Sequence, residues 1–371
     1  MENRINYLGL SAILVFLISF GCEKDINEIS LAESKETMSA AESPSSLSKT
    51  GVRLPDFSGG VRKYAVSFSI GSKIFMGFGF NNEGPVKDLW VWNYEVGATE
   101  MGMSKNDEWT KLPVFPGSFY KPGTTEAIPM GFAVNGKGYI LRGAFWDNGN
   151  LVNEFWEFEP ETNTWTRKAD PPFTMARHAA TGFSIGTKLY IGTGESYEGQ
   201  WKLYNDFWEW DQITDKWTKK ADFPGEARAH ATGFSIGNKG YLGLGGEIGM
   251  GGGPVYQDFW EYDQATDNWN RKADFNGIQV IGAIGFSLGN RGYVASGWDP
   301  VINSSATQEI WEWNQATDSW TKVGIFAGVQ RTGAVGGSLG NRGYLLTGQN
   351  LSEDWESNPI LNDFWLIDLS E

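Results

Sequence analysis

DFWEWDQITDKWTKKADFPGEARAHATGFSIGNKGYLGLGG, running from Asp206 to Gly246, decides the fold because the chain repeats it. An acidic residue, an apolar residue and a Trp recur as a unit ending at Trp90, Trp156, Trp208, Trp260, Trp311 and Trp365. In four copies a second Trp follows nine residues later, at Trp165, Trp217, Trp269 and Trp320. From Trp156 onward the units are spaced by 52, 52, 51 and 54 residues, and only the first interval, 66 residues, is stretched. A fixed period near fifty with β-rich apolar segments is the mark of a propeller blade or solenoid unit, and it overrides a segment-by-segment reading.

Each unit breaks down into four short strands. In the fourth, Ala231 to Ile236 and Tyr241 to Leu244 flank the tight turn Gly237-Asn238-Lys239-Gly240, and Phe259 to Tyr262 and Trp269 to Lys272 flank Gln264 to Asp267. The first two strands occur six times, anchored at Phe68, Phe132, Phe183, Phe234, Phe286 and Gly337. The fourth strand occurs only five times in sequence with its partners, because the chain ends six residues after Trp365. The missing strand lies at the other end, where Arg53 to Gly59 aligns with Lys111 to Gly117 and Gly51 stands in place of the anchoring Trp. The prediction is an all-β, six-bladed propeller over residues 51–371, closed by an N-terminal strand that completes the C-terminal blade. Closure removes the exposed edges an open array would leave.

The glycine-rich second strands (Gly243-Leu244-Gly245-Gly246), the aromatic Tyr241 ahead of them and the fourth-strand Trp resemble the Kelch repeat. That resemblance implies the same propeller, and it implies no particular activity.

The formal charge of −15 argues against nucleic acid and against electrostatic docking on anionic lipid. The single cysteine, Cys22, excludes an intrachain disulfide. Arg4, the apolar run from Leu8 to Phe20 and Gly21 before Cys22 resemble a bacterial lipoprotein signal over residues 1–21, with Cys22 as the lipidated residue. Residues 22–50, rich in Ser, Glu and Ala, read as a disordered tether. The expected location is the outer membrane or cell surface, with the membrane met through the lipid anchor only and the protein a monomer.

The longer loops follow the second strands and share one face, which marks it as the binding face. Six residues before the first-strand anchors stand Arg62, Glu126, Arg177, Arg228, Val280 and Arg331. Arginine forks suit a carboxylate, and Trp146, Trp201, Trp298 and Trp355 in the loops suit a sugar face. The alternative role for these arginines is to bond neighbouring backbone carbonyls. Glu126, Glu195, Glu247, His178 and His230 are the acid–base candidates. The Asp-Gln-x-Thr-Asp turns offer too few carboxylates for calcium, and neither a metal nor a cofactor is implied.

Two functions follow. The leading one is a tethered binding or scaffold module for a glycan or protein partner, with its ligand at the channel mouth. The other is enzymatic. The architecture is similar to galactose oxidase, but copper-radical chemistry needs a propeller cysteine, and Cys22 lies in the signal. Resemblance to the Kelch-type sialic acid epimerases implies instead the opening and closing of an anionic sugar, with Arg holding its carboxylate. A purely structural spacer is the third reading.

Overall fold

The second strand of each repeat is a nearly unbroken run of buried residues, as in Ile74–Gly77, Leu189–Gly192 and Gly240–Gly243. Such a run needs packing on both faces of the strand. A computed structural model supplies it. The structure describes residues 49–94, 108–117, 128–142, 146–147, 150–151, 154–173, 177–197, 200–247, 253–300, 305–351 and 358–369.

Six four-stranded antiparallel sheets form the blades of a propeller. Blade 1 consists of Val66–Ile70, Lys73–Gly77, Leu89–Asn93 and Thr110–Lys111, and blade 2 of Met130–Val134, Lys137–Arg142, Glu154–Glu159 and Thr164–Arg167. Blade 3 is Thr181–Ile185, Lys188–Gly192, Phe207–Asp211 and Lys216–Lys219; blade 4 is Thr232–Ile236, Lys239–Gly243, Phe259–Asp263 and Asn268–Lys272. Blade 5 holds Ile284–Leu288, Arg291–Ala295, Glu309–Asn314 and Ser319–Phe326. Blade 6 holds Val335–Leu339, Arg342–Gln349 and Ile360–Ile367, and its fourth strand is Val52–Leu54. That strand pairs Val52 with Leu366, Arg53 with Trp365 and Leu54 with Phe364, the ring closure read from the sequence. The last two residues of the expected tether, Lys49 and Thr50, form a short strand. Lys49–Thr50 runs parallel to Ile325 and Phe326 at the outer edge of blade 5, so one segment bonds to two blades. Cys22 and the expected signal and tether up to residue 48 lie outside the described residues.

The core consists of seams between blades. Ile74, Met76 and Trp92 of blade 1 pack against Tyr344, Leu346 and Phe364 of blade 6, and equivalent clusters join every other neighbouring pair. The fourth-strand Trp residues cross these seams. Trp217 lies 5.4 Å from Phe155, Trp269 lies 4.8 Å from Phe207, and Trp320 lies 5.0 Å from Phe259, each on the preceding blade. Their indole N–H groups donate to the carbonyls of Ala169, Ala221 and Ala273 at 2.9–3.0 Å. Asp215, Asp267 and Asp318 of the turns accept from the backbone N–H of those same alanines, so the turns dock on the preceding blade.

Residues one apart on a strand face opposite sides. Glu157, Glu209 and Glu261 therefore accept from second-strand Tyr139, Tyr190 and Tyr241 at 2.7–2.8 Å. The cations at the ends of the fourth strands that reach them are Lys168 and Lys220, each one residue past its strand, and Lys272, the last of its strand. The neighbouring Lys219 and Arg271 turn the other way, to Asp222 and Asp274.

Candidate functional site

The repeated acid-x-Trp unit holds each blade together internally. Asp206 accepts the Trp208 indole N–H at 2.8 Å and takes both arms of Arg177. Arg228 meets Asp258 and Arg331 meets Asp363 in the same two-pronged way. Arg62 reaches Asp88 at 2.7 Å. Each guanidinium also stacks on aromatic rings: Arg177 on Phe173 and Tyr204, Arg228 on Phe223 and Tyr256. Arg62, Arg177, Arg228 and Arg331 are 2%, 3%, 0% and 0% exposed, which corrects the expectation of an arginine rim. The Nη1 of three of these arginines, already bonded to the aspartate, also donates to the carbonyls of Thr193, Leu244 and Thr347. Where the arginine column is broken, another cation replaces it. Arg142 holds Glu154 in blade 2, and Lys322 holds Glu309 at 2.6 Å in blade 5, where Val280 stands in the arginine position.

The mouth is lined by the next two columns. One residue after the arginine position, Lys63, His178, Ala229, Ile281 and Thr332 bridge to Phe80, Glu195, Gly246, Trp298 and Gln349. One further on are Tyr64, Ile128, Ala179, His230, Gly282 and Gly333. Five of these six positions have a left-handed backbone, including Tyr64 at φ 52° and His230 at φ 55°, where glycine is the easy choice. Backbone bonds join the column around the axis, from Tyr64 N to Gly333 O, from His230 N to Ala179 O and from Gly282 N to His230 O. A bulky residue held in this conformation marks a position where the side chain matters more than the strain.

Two chambers open at this mouth. The larger, about 600 Å³, is lined by Lys63, Asn81, Asn82, Glu83, His178 and Glu195. The smaller, about 230 Å³, is lined by Ala65, Ala231, Ile281, Trp298, Thr332 and Ala334. Tyr64, Ile128 and His230 border both. Lys63 forms no ion pair among the described residues; its ammonium donates to Gln349 Oε1 at 3.2 Å.

His178 and Glu195 exchange both backbone hydrogen bonds, at 2.7 and 2.9 Å, so their side chains leave the sheet on the same side. Glu195 is 8% exposed, and its Oε2 is buried with no hydrogen-bond partner. Burial raises its carboxyl above the ordinary range, favouring the protonated acid. Burial lowers the His178 imidazole, and burial together with the adjacent His178 charge lowers His230 to about 4. A carboxyl shifted toward its protonated form beside an imidazole shifted toward its neutral form can give and take a proton on one wall of a cavity.

The other expected residues separate. Trp201 is 39% exposed, with its ring 6.4 Å from that of His178. Trp298 forms a wall of the smaller chamber. Glu247 is exposed and sits one residue past the Glu195 column, where Gly246 stands. Trp146 belongs to a hairpin, 146–147 with 150–151, of which only the backbone is described. Glu126 and Trp355 lie outside the described residues. Lys63 and Tyr64 were missed. The signal was present in the sequence, since a column that ends in Gly282 and Gly333 yet carries Tyr64 and His230 is anomalous.

No family model matches the chain. An N-acetylneuraminate epimerase of Vibrio cholerae is 24% identical over 205 residues, covering 45% of this chain and 52% of the relative. A protein of the same name from Yersinia enterocolitica is 30% identical over 123 residues, 32% of this chain and 30% of the relative. The chain thus spans about half the length, or less, of the curated relatives it matches. A solved structure titled "Structure of YjhT" superposes with a TM-score of 0.67 at 17% identity, over 86% of this chain and 97% of that one, which shows the fold. The relatives' names overturn the leading sequence reading, a non-catalytic binding or scaffold module, in favour of its enzymatic alternative.

Proposed function

We propose that this protein interconverts the anomers of a sugar acid of the N-acetylneuraminate class. The observation that carries the proposal is the orphaned, acid-shifted Glu195 beside His178 in a cavity of about 600 Å³, within the range of small-molecule sites. The names of the curated relatives support the substrate class.

The substrate is a cyclic hemiketal with a carboxylate on its anomeric carbon. His178 accepts the proton of the anomeric hydroxyl, whose electron pair becomes the new carbonyl π bond. The bond from the anomeric carbon to the ring oxygen breaks, and that oxygen takes the Glu195 proton. Rotation about the adjacent carbon–carbon bond presents the other carbonyl face. The reverse transfers then close the ring: the open-chain hydroxyl returns its proton to Glu195 as its oxygen attacks the carbonyl carbon, and His178 gives its proton to the new anomeric oxygen. Lys63, the cation of this wall that lacks a carboxylate partner, pairs with the substrate carboxylate; the four buried arginines are already bonded.

Proton nuclear magnetic resonance of a freshly prepared single anomer measures the reaction directly. Equilibration should outrun the protein-free blank, and Glu195→Gln should slow it roughly a hundredfold to ten-thousandfold. The wild-type rate should fall on the acid side as His178 takes a proton and on the alkaline side as Glu195 loses one; the variant should lack the alkaline fall. A wild-type rate equal to the blank removes the proposal.

A further inference from the structure

The smaller chamber differs in kind from the larger. Its wall is Ala65, Ala231, Ile281, Trp298 and Ala334, with Thr332 the one hydroxyl that it does not share with the larger chamber, and no Asp, Glu, Lys or Arg lines it. It exists because the mouth is unequal around the axis. Blades 1, 2 and 4 carry Tyr64, Ile128 and His230 in the inner column, whereas blades 5 and 6 carry Gly282 and Gly333. A side chain at Gly333 would come within 2.9 Å of the Tyr64 ring, so Tyr64 leans over the space that glycine leaves. An apolar recess of about 230 Å³ beside a polar, acid–base chamber matches a substrate with one apolar arm on a polar ring.

We infer that the smaller chamber is an acyl subsite. It takes the amide-linked acyl group of an amino sugar acid against Ile281, Ala231 and Ala334, while the ring and carboxylate stay with Glu195, His178 and Lys63. The inference rests on the proposed anomer interconversion and specifies which part of the substrate is recognised. It also makes acyl length, more than ring hydroxylation, the selected feature. Trp298 sets the length limit, because it lines the chamber and Ile281 fixes its backbone through two hydrogen bonds of 2.9 and 3.0 Å.

The test compares anomer equilibration for four substrates: the N-acetyl, N-propanoyl and N-butanoyl sugar acids and the analogue with a hydroxyl in place of the amide. Trp298→Ala should raise the N-butanoyl to N-acetyl ratio of kcat/KM by about tenfold or more. Thr332→Leu, a milder change that fills the chamber, should lower the N-acetyl rate by about tenfold relative to the hydroxyl analogue. Ratios unchanged in both variants overturn the subsite. If the wild type equilibrates none of the four, the proposed reaction is wrong, and saturation-transfer resonance on N-acetylneuraminate judges the subsite separately. Strong transfer to the acetyl methyl that is lost in Thr332→Leu sustains it; uniform or absent transfer overturns it.

Discussion

Arg228→Met separates a blade clamp from a ligand rim. Arg228 is 0% exposed. Its guanidinium holds Asp258 through two nitrogens, donates to Leu244 O at 3.1 Å and to Glu226 O at 2.9 Å, and lies 4.9 and 4.3 Å from the Phe223 and Tyr256 rings. Methionine keeps most of the stem and leaves the Asp258 carboxylate with only the Trp260 N–H at 2.8 Å. Leaving one member of such a pair uncompensated costs about 3–5 kcal/mol, equivalent to a fall in melting temperature on the order of 5–10 °C. Lys322→Met is the internal control. The Lys322–Glu309 pair does the same job in blade 5, but the lysine is 32% exposed and solvent screens it, so the loss should stay near 1 kcal/mol or below. Thermal unfolding followed by near-ultraviolet circular dichroism reads both. An Arg228→Met protein that keeps its melting temperature but loses sugar affinity would refute the clamp and restore the arginine rim.

His230→Gly should leave stability within about 1 kcal/mol of wild type, because glycine adopts φ 55° without strain and offsets the lost contacts. The same variant should lose sugar affinity by titration calorimetry; a loss of several kcal/mol of stability with affinity intact counts against a site role. Deleting residues up to Leu54 removes the closing strand and uncovers Phe364 and Leu366, so the melting temperature should drop by on the order of 10 °C or more. A chain beginning at Lys49 should match the full chain, and equal stability of the two deletions would refute closure through this strand.

The fold was legible because its signal is repeated. Blade number, ring closure and the seam role of Trp217, Trp269 and Trp320 all follow from a spacing that six copies average. The site was half legible for the opposite reason. Arg177, Arg228 and Arg331 formed a conspicuous column at the mouth end of each blade, yet a column shared by most blades is what a structural clamp produces. Sequence position locates a residue along the axis to within one step, and one step reverses the direction of a side chain. Arg62 points into the blade and Lys63 into the mouth for that reason alone. The pairing with Asp258 and Asp363 was not readable from spacing either, since these acids lie about thirty residues from their arginines.

Asymmetry, then, is where function has to be sought in a ring of near-identical parts. The clamp recurs with substitutes: Arg142 serves Glu154, and Lys322 serves Glu309, so its loss in a blade is compensated. The mouth column has no such compensation. It carries an aromatic ring, an aliphatic chain, a methyl group, an imidazole and two bare glycines, and each choice changes the cavity shape. The bridge column is equally uneven, with one carboxylate, Glu195, facing one imidazole, His178, in blade 3 alone among the described bridges. Holding Tyr64 and His230 at positive φ costs roughly 1–3 kcal/mol each. A scaffold that needed only to close would place glycine there, as blades 5 and 6 do. Tyr64 and His230, the two bulky residues held there, are among the three that border both chambers, where a sugar ring and its substituent would have to meet.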